Sequence, residues 1–190
     1  MAITMPKSGT ATGTPSIDKK VPVAGETRQQ RYLRYVLAAL RLSLGWVFLW
    51  AFLDKAFGLG HETTSAQAWI NGGSPTKGFL ANAATGPFAS FYHNIAGAAW
   101  ADWLFMAGLL GIGVALILGV AMRIAATAGA VLLVMMWTVV LPPENNVFMD
   151  DHLIYAMILI ALALAGAGRT FGLGKYWERL DWVSKYGALK

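Results

Sequence analysis

The stretch from Trp103 to Leu141 constrains the fold of this chain more than any other feature, because it is 39 residues long and carries one charged side chain, Arg123. A single straight helix of that length would extend roughly 58 Å, about twice the ~30 Å hydrocarbon thickness of a bilayer. Lipid offers no partners for backbone N–H and C=O groups outside a helix or a closed barrel. The stretch therefore predicts two membrane-spanning helices joined by a tight turn around Arg123.

The overall composition agrees with a membrane protein, since 56% of the residues are hydrophobic and 13% are charged. The chain has no cysteine, which excludes disulfides, thiolate catalysis and thiolate-bound iron–sulfur clusters. Any redox chemistry would need a bound cofactor or a partner. The excess of 15 Lys and Arg over 10 Asp and Glu lies beside apolar segments, which favours the lipid bilayer and not a nucleic acid as its partner.

Hydropathy predicts four spans, at residues 35–57, 103–122, 124–141 and 153–168. The expected fold is all-α and integral to the membrane, an antiparallel four-transmembrane-helix bundle. An outer excursion, residues 58–102, is expected to contain helical pieces that lie on the membrane interface between spans one and two. The predicted domains are a disordered tail at 1–27, a four-span membrane domain at 28–175 and a C-terminal tail at 176–190.

The distribution of charge predicts the orientation. If the N-terminus is cytoplasmic, the inner side holds twelve Lys and Arg against four acids, and the outer side holds two Lys against six acids. This asymmetry places both termini in the cytoplasm of a bacterial or archaeal cell. For packing between spans, small residues at every fourth position of span two, Gly111, Ala115 and Gly119, predict a helix contact.

Span one carries Arg41 and Lys55 on one helical face. Ionisable residues within a span are costly, so this face is expected to point into the bundle or toward a polar cavity. Arg41 is also near enough to the inner boundary to snorkel to the headgroups, and both interpretations stay open. Lys55 is either a surface ion-pair partner or part of a substrate site.

In the outer excursion, Ser74 and Pro75 predict the start of a short helix, with Ser74 as N-cap. Free N–H groups at that start and the neighbouring Lys77 would favour an anion. The alternative is an ordinary capped interfacial helix whose lysine faces water. The candidate substrate-binding residues are therefore Arg41, Lys55, Ser74 and Lys77.

Asp151, His152 and Tyr155 open span four and form the candidate catalytic group, together with the neighbouring Asp150. Spacings of three and four residues bring Asp151, His152 and Tyr155 to one side of a helix. A proton-bearing cluster at the membrane boundary suits acid–base chemistry, although the carboxylates also suit a helix N-terminus by themselves. The three histidines do not occupy separate spans, so no haem and no tightly bound metal is predicted.

Four short motifs of this chain occur together in one known family. They are Arg41-x-x-x-Gly45 leading to Lys55, the segment Ser74-Pro75-Thr76, the glycine-rich second span ending in Arg123, and Asp151-His152 leading to Gly166-Ala167-Gly168-Arg169. Over residues 35–175 the chain resembles the DoxX/DoxD family of small four-span membrane proteins. The resemblance implies a membrane subunit of a thiosulfate:quinone oxidoreductase that works with a second subunit, DoxA.

The resemblance and the residues together favour a membrane subunit of a quinone-linked oxidoreductase, with quinone as cofactor. A quinone would enter from lipid and take protons from the group at span four, whereas an anionic donor would approach the outer lysines. Expected partners are other membrane or extracytoplasmic redox subunits, or further copies of the chain. The alternative is a non-catalytic structural or assembly subunit of a larger membrane redox complex. A solute channel is disfavoured because few polar residues point inward.

Overall fold

The computed structural model describes residues 25–189, so the predicted tail at 1–27 lies almost wholly outside the described residues. The described residues form α-helices and short 3-10 turns, without strands. The α-helices are α1 (Arg28–Phe57), α2 (Lys77–Asn82), α3 (Ala89–Ile95), α4 (Ala99–Leu118), α5 (Met122–Val139), α6 (Asp151–Leu164), α7 (Gly174–Trp177) and α8 (Asp181–Lys185).

Three of these helices, α1, α4 and α5, are long and apolar enough to cross a membrane. This supports the predicted all-α membrane fold. The fourth apolar helix, α6, has 14 residues and is about 21 Å long, which is shorter than the ~30 Å hydrocarbon layer. The predicted fourth span extended to residue 168, but α6 ends at Leu164 and Gly166 then turns the chain with φ +63°.

The turn between α4 and α5 lies at residues 119–121, whereas the sequence predicts it around Arg123. Gly119 ends α4 with φ +71°, a left-handed conformation that glycine adopts without steric cost. Helix α5 begins three residues later, so Arg123 lies in its first turn. The single charge of the long apolar stretch therefore marks a helix start and not the turn itself.

Helices α1 and α4 pack closely at two glycines. A Cβ on Gly45 would lie 2.9 Å from the Ile117 side chain, and a Cβ on Gly113 would lie 2.8 Å from the backbone nitrogen of Leu49. The contacts thus run in opposite order along the two helices. Gly129 of α5 has the same role against Leu159 of α6, where a Cβ would come within 2.6 Å of that side chain.

The predicted contact at Gly111 is wrong. Gly111 is exposed, and a Cβ built on it would meet nothing within 4 Å. The close approach of α4 to α1 is made two residues later, at Gly113, on the other side of the helix. Because nearly every residue of α4 is small or apolar, the sequence offers no contrast that identifies its contacting face.

The helices have two ends, which we name after the residues found there. The Arg41 end contains the C-termini of α4 and α6, the start of α5, and residues 165–189. The His152 end contains the C-termini of α1 and α5, the starts of α4 and α6, and the segment 58–98. Between them lies a core of apolar side chains that includes Met106, Leu116, Leu159 and Leu162, each 0% exposed.

Two segments outside the long helices pack against them. At the His152 end, the Tyr92 hydroxyl of α3 lies 3.2 Å from the Met135 carbonyl of α5 and donates a hydrogen bond to it. At the Arg41 end, the segment predicted as a C-terminal tail forms α7 and α8. Arg123 donates to the Gly187 carbonyl at 2.8 Å, and Val183 is fully buried. Residues 174–189 are therefore attached to the membrane helices.

Candidate functional site at the His152 end

Asp150 and His152 form the tightest polar contact at the start of α6. Asp150 is the N-cap residue, and its Oδ1 accepts a hydrogen bond from the Leu153 N–H at 3.2 Å. Its other oxygen, Oδ2, lies 2.6 Å from His152 Nδ1. The side chains of His152 and Asp150 are 18% and 12% exposed. The capping carboxylate therefore also fixes the orientation of a half-buried imidazole.

Asp151 has a more peripheral position than the sequence suggests. Its Oδ1 lies 3.5 Å from His152 Nδ1, and its side chain is 66% exposed. The sequence predicts Asp151 as a member of the catalytic group with His152, whereas the structure brings Asp150 into direct contact with the imidazole. Helix-capping preferences point to Asp150, because an N-cap aspartate accepts a hydrogen bond from the N–H of the second or third helical residue and so directs its carboxylate toward the start of the helix.

Tyr155 lies one turn further along α6, half-buried against the apolar core. Within residues 25–189 its hydroxyl makes no hydrogen bond to His152, so the structure places Tyr155 near the pair without joining it directly. One carboxylate oxygen of Asp150, one of Asp151 and a ring nitrogen of His152 all lie within 4.8 Å of one another. They make a compact group of titratable atoms.

The loop before α6 is held in place by its own polar contacts. Asn146 Oδ1 accepts hydrogen bonds from the N–H groups of Phe148 and Met149, each at 3.2 Å, and the Trp137 indole donates to the Phe148 carbonyl at 2.6 Å. Asn146 thereby forms a local turn of the kind that asparagine favours. The Trp137 contact fixes the loop to α5 just before Asp150 starts α6, and Phe148 is exposed.

Lys55 also lies at the His152 end, paired with an acid. Its Nζ is 3.3 Å from Glu62 Oε2, and its side chain is 17% exposed. The neighbouring Asp54 is buried and accepts hydrogen bonds from the backbone N–H groups of His61, Glu62 and Thr63. Asp54 thus organises the loop that supplies the partner of Lys55.

Ser74 and Thr76, which precede Lys77, bond to a buried carboxylate, Asp102. The hydroxyls of Ser74 and Thr76 donate to Asp102 Oδ1 at 2.9 and 2.6 Å, and the Thr76 N–H donates to the same atom at 3.0 Å. The short helix α2 begins at Lys77, and the Lys77 N–H donates to Ser74 Oγ at 3.2 Å. The donors that the sequence assigned to an external anion therefore serve an internal one.

Arg41 lies at the opposite end of α1 from Lys55, roughly 21 Å away at about 1.5 Å per residue. It is fully buried, so it does not snorkel. Its guanidinium donates to the carbonyls of Leu116 and Ile117 at the end of α4 and to those of Thr170 and Phe171. Carbonyls at a helix C-terminus favour a cation there. Arg41 thus clamps three chain segments together.

The structure therefore divides the predicted site residues into three groups. Asp151 and His152 are brought together, with Tyr155 one turn away. Lys55, Ser74 and Lys77 share the same end of the helices but have separate contacts. Arg41 is remote from both groups. The residue that sequence reasoning ranked too low is Asp150.

Comparison with known proteins gives one result. The family model described as DoxX matches residues 36–142, which is more than half of the chain. The match includes most of α1 and all of α4 and α5, with Arg41 and Asp102, and it ends eight residues before Asp150. Searches of curated proteins and of solved structures gave no significant match. With its three apolar helices of membrane-spanning length, the chain is an integral membrane protein that belongs to the DoxX family.

Proposed function

We propose that this chain is the membrane subunit of a quinone-linked oxidoreductase, in which the His152 end exchanges protons with quinone. The observation that supports the proposal is the contact of 2.6 Å between His152 Nδ1 and Asp150 Oδ2. A carboxylate that holds one imidazole nitrogen leaves the other available for proton transfer and stabilises the charged ring. The link between the DoxX family and membrane redox chemistry adds to this support.

The conversion of a quinone to a quinol takes up two electrons and two protons. We propose that the protonated His152 gives one proton from Nε2 to a quinone oxygen while Asp150 holds Nδ1, and that it supplies the second proton after it has been reprotonated. The exposed Asp151, 3.5 Å from the same ring, would return a proton from water. Tyr155 lies one turn further along α6 and would contact the face of the quinone ring. The electrons come from a bound cofactor or a partner subunit, because a chain without cysteine has no thiolate-bound cluster of its own.

Access for a hydrophobic substrate is the next requirement. The side chains of Phe148, Ile154 and Met157 on and before α6 are 56%, 43% and 55% exposed. Ile154 and Met157 point roughly 160° and 140° away from His152 around α6, so Phe148, just before the helix, is the one of these side chains that a quinone entering laterally from lipid would pass.

The donor is a separate part of the proposal. Thiosulfate, which the resemblance to thiosulfate:quinone oxidoreductases implies, stays a prediction. Lys55 would hold an anion only by sharing its ion pair with Glu62, and Ser74 only by giving up Asp102. Lys77 is exposed and has no acidic partner within residues 25–189, so it is the cation best placed to attract an anionic donor.

The membrane arrangement follows from the same residues. We propose that α6, although short, is the fourth span and completes an antiparallel four-helix bundle with α1, α4 and α5. The twelve basic residues assigned to the inner side place the Arg41 end in the cytoplasm and the His152 end outside. In this arrangement the extracytoplasmic partner would dock beside His152.

A second function, a structural or assembly subunit without catalysis, is favoured by a different observation. Three charged residues buried among the long helices, Arg41, Asp54 and Asp102, are bonded to backbone groups or to nearby hydroxyls. Buried charges of this kind stabilise one arrangement of the chain. If the Asp150–His152 contact is of the same kind, it too is a helix cap and nothing more.

Mutation of His152 separates the two functions. The protein is purified with its co-purifying subunits from native membranes, and quinone reduction is measured with the complex's own donor. We expect His152→Ala and Asp150→Asn to lower the rate by about 100-fold or more, the usual contribution of a positioned acid or base. His93→Ala, an exposed histidine on α3, is the matched control and should leave the rate unchanged.

Protein abundance and subunit composition are measured for each variant. A rate within a few-fold of wild type in both His152→Ala and Asp150→Asn, at normal abundance, would refute the catalytic proposal. It would then favour the structural subunit. Loss of a co-purifying subunit without loss of the chain itself would point to the same conclusion.

A further inference from the structure

A cavity at the Arg41 end is not used by the proposed function. Its volume is about 180 Å³, and it lies between the α4–α5 turn, the end of α6 and helix α7. The charged side chains that line it are Arg123, Arg169 and Glu178. It is therefore bounded by chain segments that are far apart in the sequence.

Three glycines bring backbone segments close together in the wall of this cavity. Gly119, Gly168 and Gly174 line it, and a Cβ on Gly119 or on Gly174 would lie 2.6 or 2.7 Å from the Gly168 carbonyl oxygen. Helix α5 also starts here without a side-chain cap. The first N–H groups of a helix have no partner within that helix, so those of residues 122–124 remain available to an acceptor.

The electrostatic balance around the cavity is positive. Arg169 binds Glu178 at 2.7 Å, and the hydrogen bonds and charge of Glu178 raise the pKa of Arg169. Arg123 donates to a carbonyl and has no acidic partner within residues 25–189. Arg41 lies directly behind Gly119, since its Nη1 would be 3.1 Å from a Cβ there. Two guanidinium groups and one carboxylate thus line the cavity, and the Arg41 guanidinium lies behind its wall.

Arg41 gives an independent reason to expect an anion. Its side chain is 0% exposed, and its Nε is buried without a hydrogen-bond partner. Its other donors meet neutral carbonyls, which leave the positive charge uncompensated by any acid in the described chain. A buried charge is stabilised strongly when an opposite charge lies nearby. An anion in the adjacent cavity would supply it.

A shallow apolar groove, largely open to the surroundings, adjoins this cavity. It is lined by Arg123, Ile124, Thr127, Ala128 and Ala188. Arg123 lines both, so the charged cavity and the groove along α5 meet at its side chain. A free phosphate ion would make no apolar contact with that groove, whereas an acyl chain would pack along it.

We propose that the cavity binds the phosphate group of an anionic phospholipid, with an acyl chain of the same lipid in the groove along α5. Arg123 and the start of α5 hold the phosphate, and Arg41 and Arg169 contribute positive potential. Arg123 also donates to Gly187, and Ala188 lines the groove. The lipid therefore holds residues 174–189 against the membrane helices.

Lipid retention tests the proposal. The full chain is purified in mild detergent, phosphatidylglycerol or phosphatidylcholine is added, and bound lipid is counted by native mass spectrometry. We expect preferential retention of phosphatidylglycerol, and at least a 10-fold weaker retention in Arg123→Gln. Arg179→Gln removes the same charge from an exposed position at the same end, outside the cavity, and should behave as wild type. Ala128→Phe fills the groove, keeps every arginine and should also weaken retention.

Hydrogen exchange gives a second measurement that does not depend on the arginines. Added phosphatidylglycerol should slow exchange in residues 174–189 of the wild-type chain and not in Ala128→Phe. Equal retention in Arg123→Gln and Arg179→Gln, with Ala128→Phe unaffected, would overturn the proposal. Inorganic phosphate alone is the third arm. If millimolar phosphate binds with the same dependence on Arg123 and displaces the lipid, the ligand of the cavity is inorganic phosphate and the phospholipid proposal fails.

Discussion

Replacement of Gly113 by alanine should push α1 and α4 apart. A methyl group at that position would lie 2.8 Å from the backbone nitrogen of Leu49 and 3.0 Å from its Cα. Non-bonded carbon atoms prefer separations of about 3.5–4.0 Å, so the helices would have to separate by roughly 0.5–1 Å. Both contacts are to backbone, which has no other rotamer to adopt.

Gly111→Ala is the matched control, because it makes the same change two residues away in open space. Overpacking typically costs about 1–3 kcal/mol, whereas alanine is favoured over glycine within a helix by about 1 kcal/mol. The gain from replacing glycine by alanine within a helix is common to both variants. Gly111→Ala should therefore be slightly stabilising, and Gly113→Ala should be less stable than Gly111→Ala by about 1–3 kcal/mol.

Unfolding of the purified protein in mixed micelles, with a denaturing detergent as titrant and tryptophan fluorescence as signal, measures that difference. The comparison uses the two midpoints and their common slope. Equal midpoints for Gly111→Ala and Gly113→Ala would mean that α1 and α4 do not approach at Gly113. A larger loss in Gly111→Ala would restore the original contact prediction.

Two other predictions concern Arg41 and the orientation. Arg41→Lys keeps the charge but loses the planar fork that reaches four carbonyls, so it should lower stability by at least about 2 kcal/mol in the same titration; wild-type stability would contradict the clamp. Because the chain has no cysteine, single cysteines report topology. Positions 75 and 146 should react with an impermeant label in intact cells and position 187 should not, and the reverse pattern would invert the orientation.

The sequence predicts the apolar helices well, because hydropathy alone decides which segments leave water. It predicts their ends less well where backbone conformation decides, as at Gly119, whose left-handed φ ends α4 before Arg123. It fails on the contacting face of α4. Gly111 and Gly113 are equivalent in composition, and the partner that distinguishes them, Leu49, is 64 residues earlier in the chain than Gly113.

In the candidate site, too, the sequence predicts contacts between neighbouring residues and not those between distant ones. The cluster at the start of α6 is local, so spacing alone placed Asp151 and His152 together. Local capping geometry then decides between Asp150 and Asp151, and that detail was within reach of the sequence. The partners of Arg41 and Ser74 could not be predicted from the sequence. They lie 75 to 130 and 28 residues away. The acceptors of Arg41 are backbone carbonyls, which carry no residue-specific signal, and no local pattern links Ser74 to its acceptor, the Asp102 side chain.

The Arg41 clamp has a consequence for biosynthesis. Its last two acceptors, the carbonyls of Thr170 and Phe171, follow Arg41 by 129 and 130 residues. At roughly 5–20 residues per second, the ribosome needs about 6–26 s to make them. During that interval the newly inserted first helix carries a guanidinium without its full set of acceptors, which favours its retention beside the translocon or a chaperone until the segment after α6 arrives. Release into lipid is thereby coupled to the synthesis of residues 170 and 171.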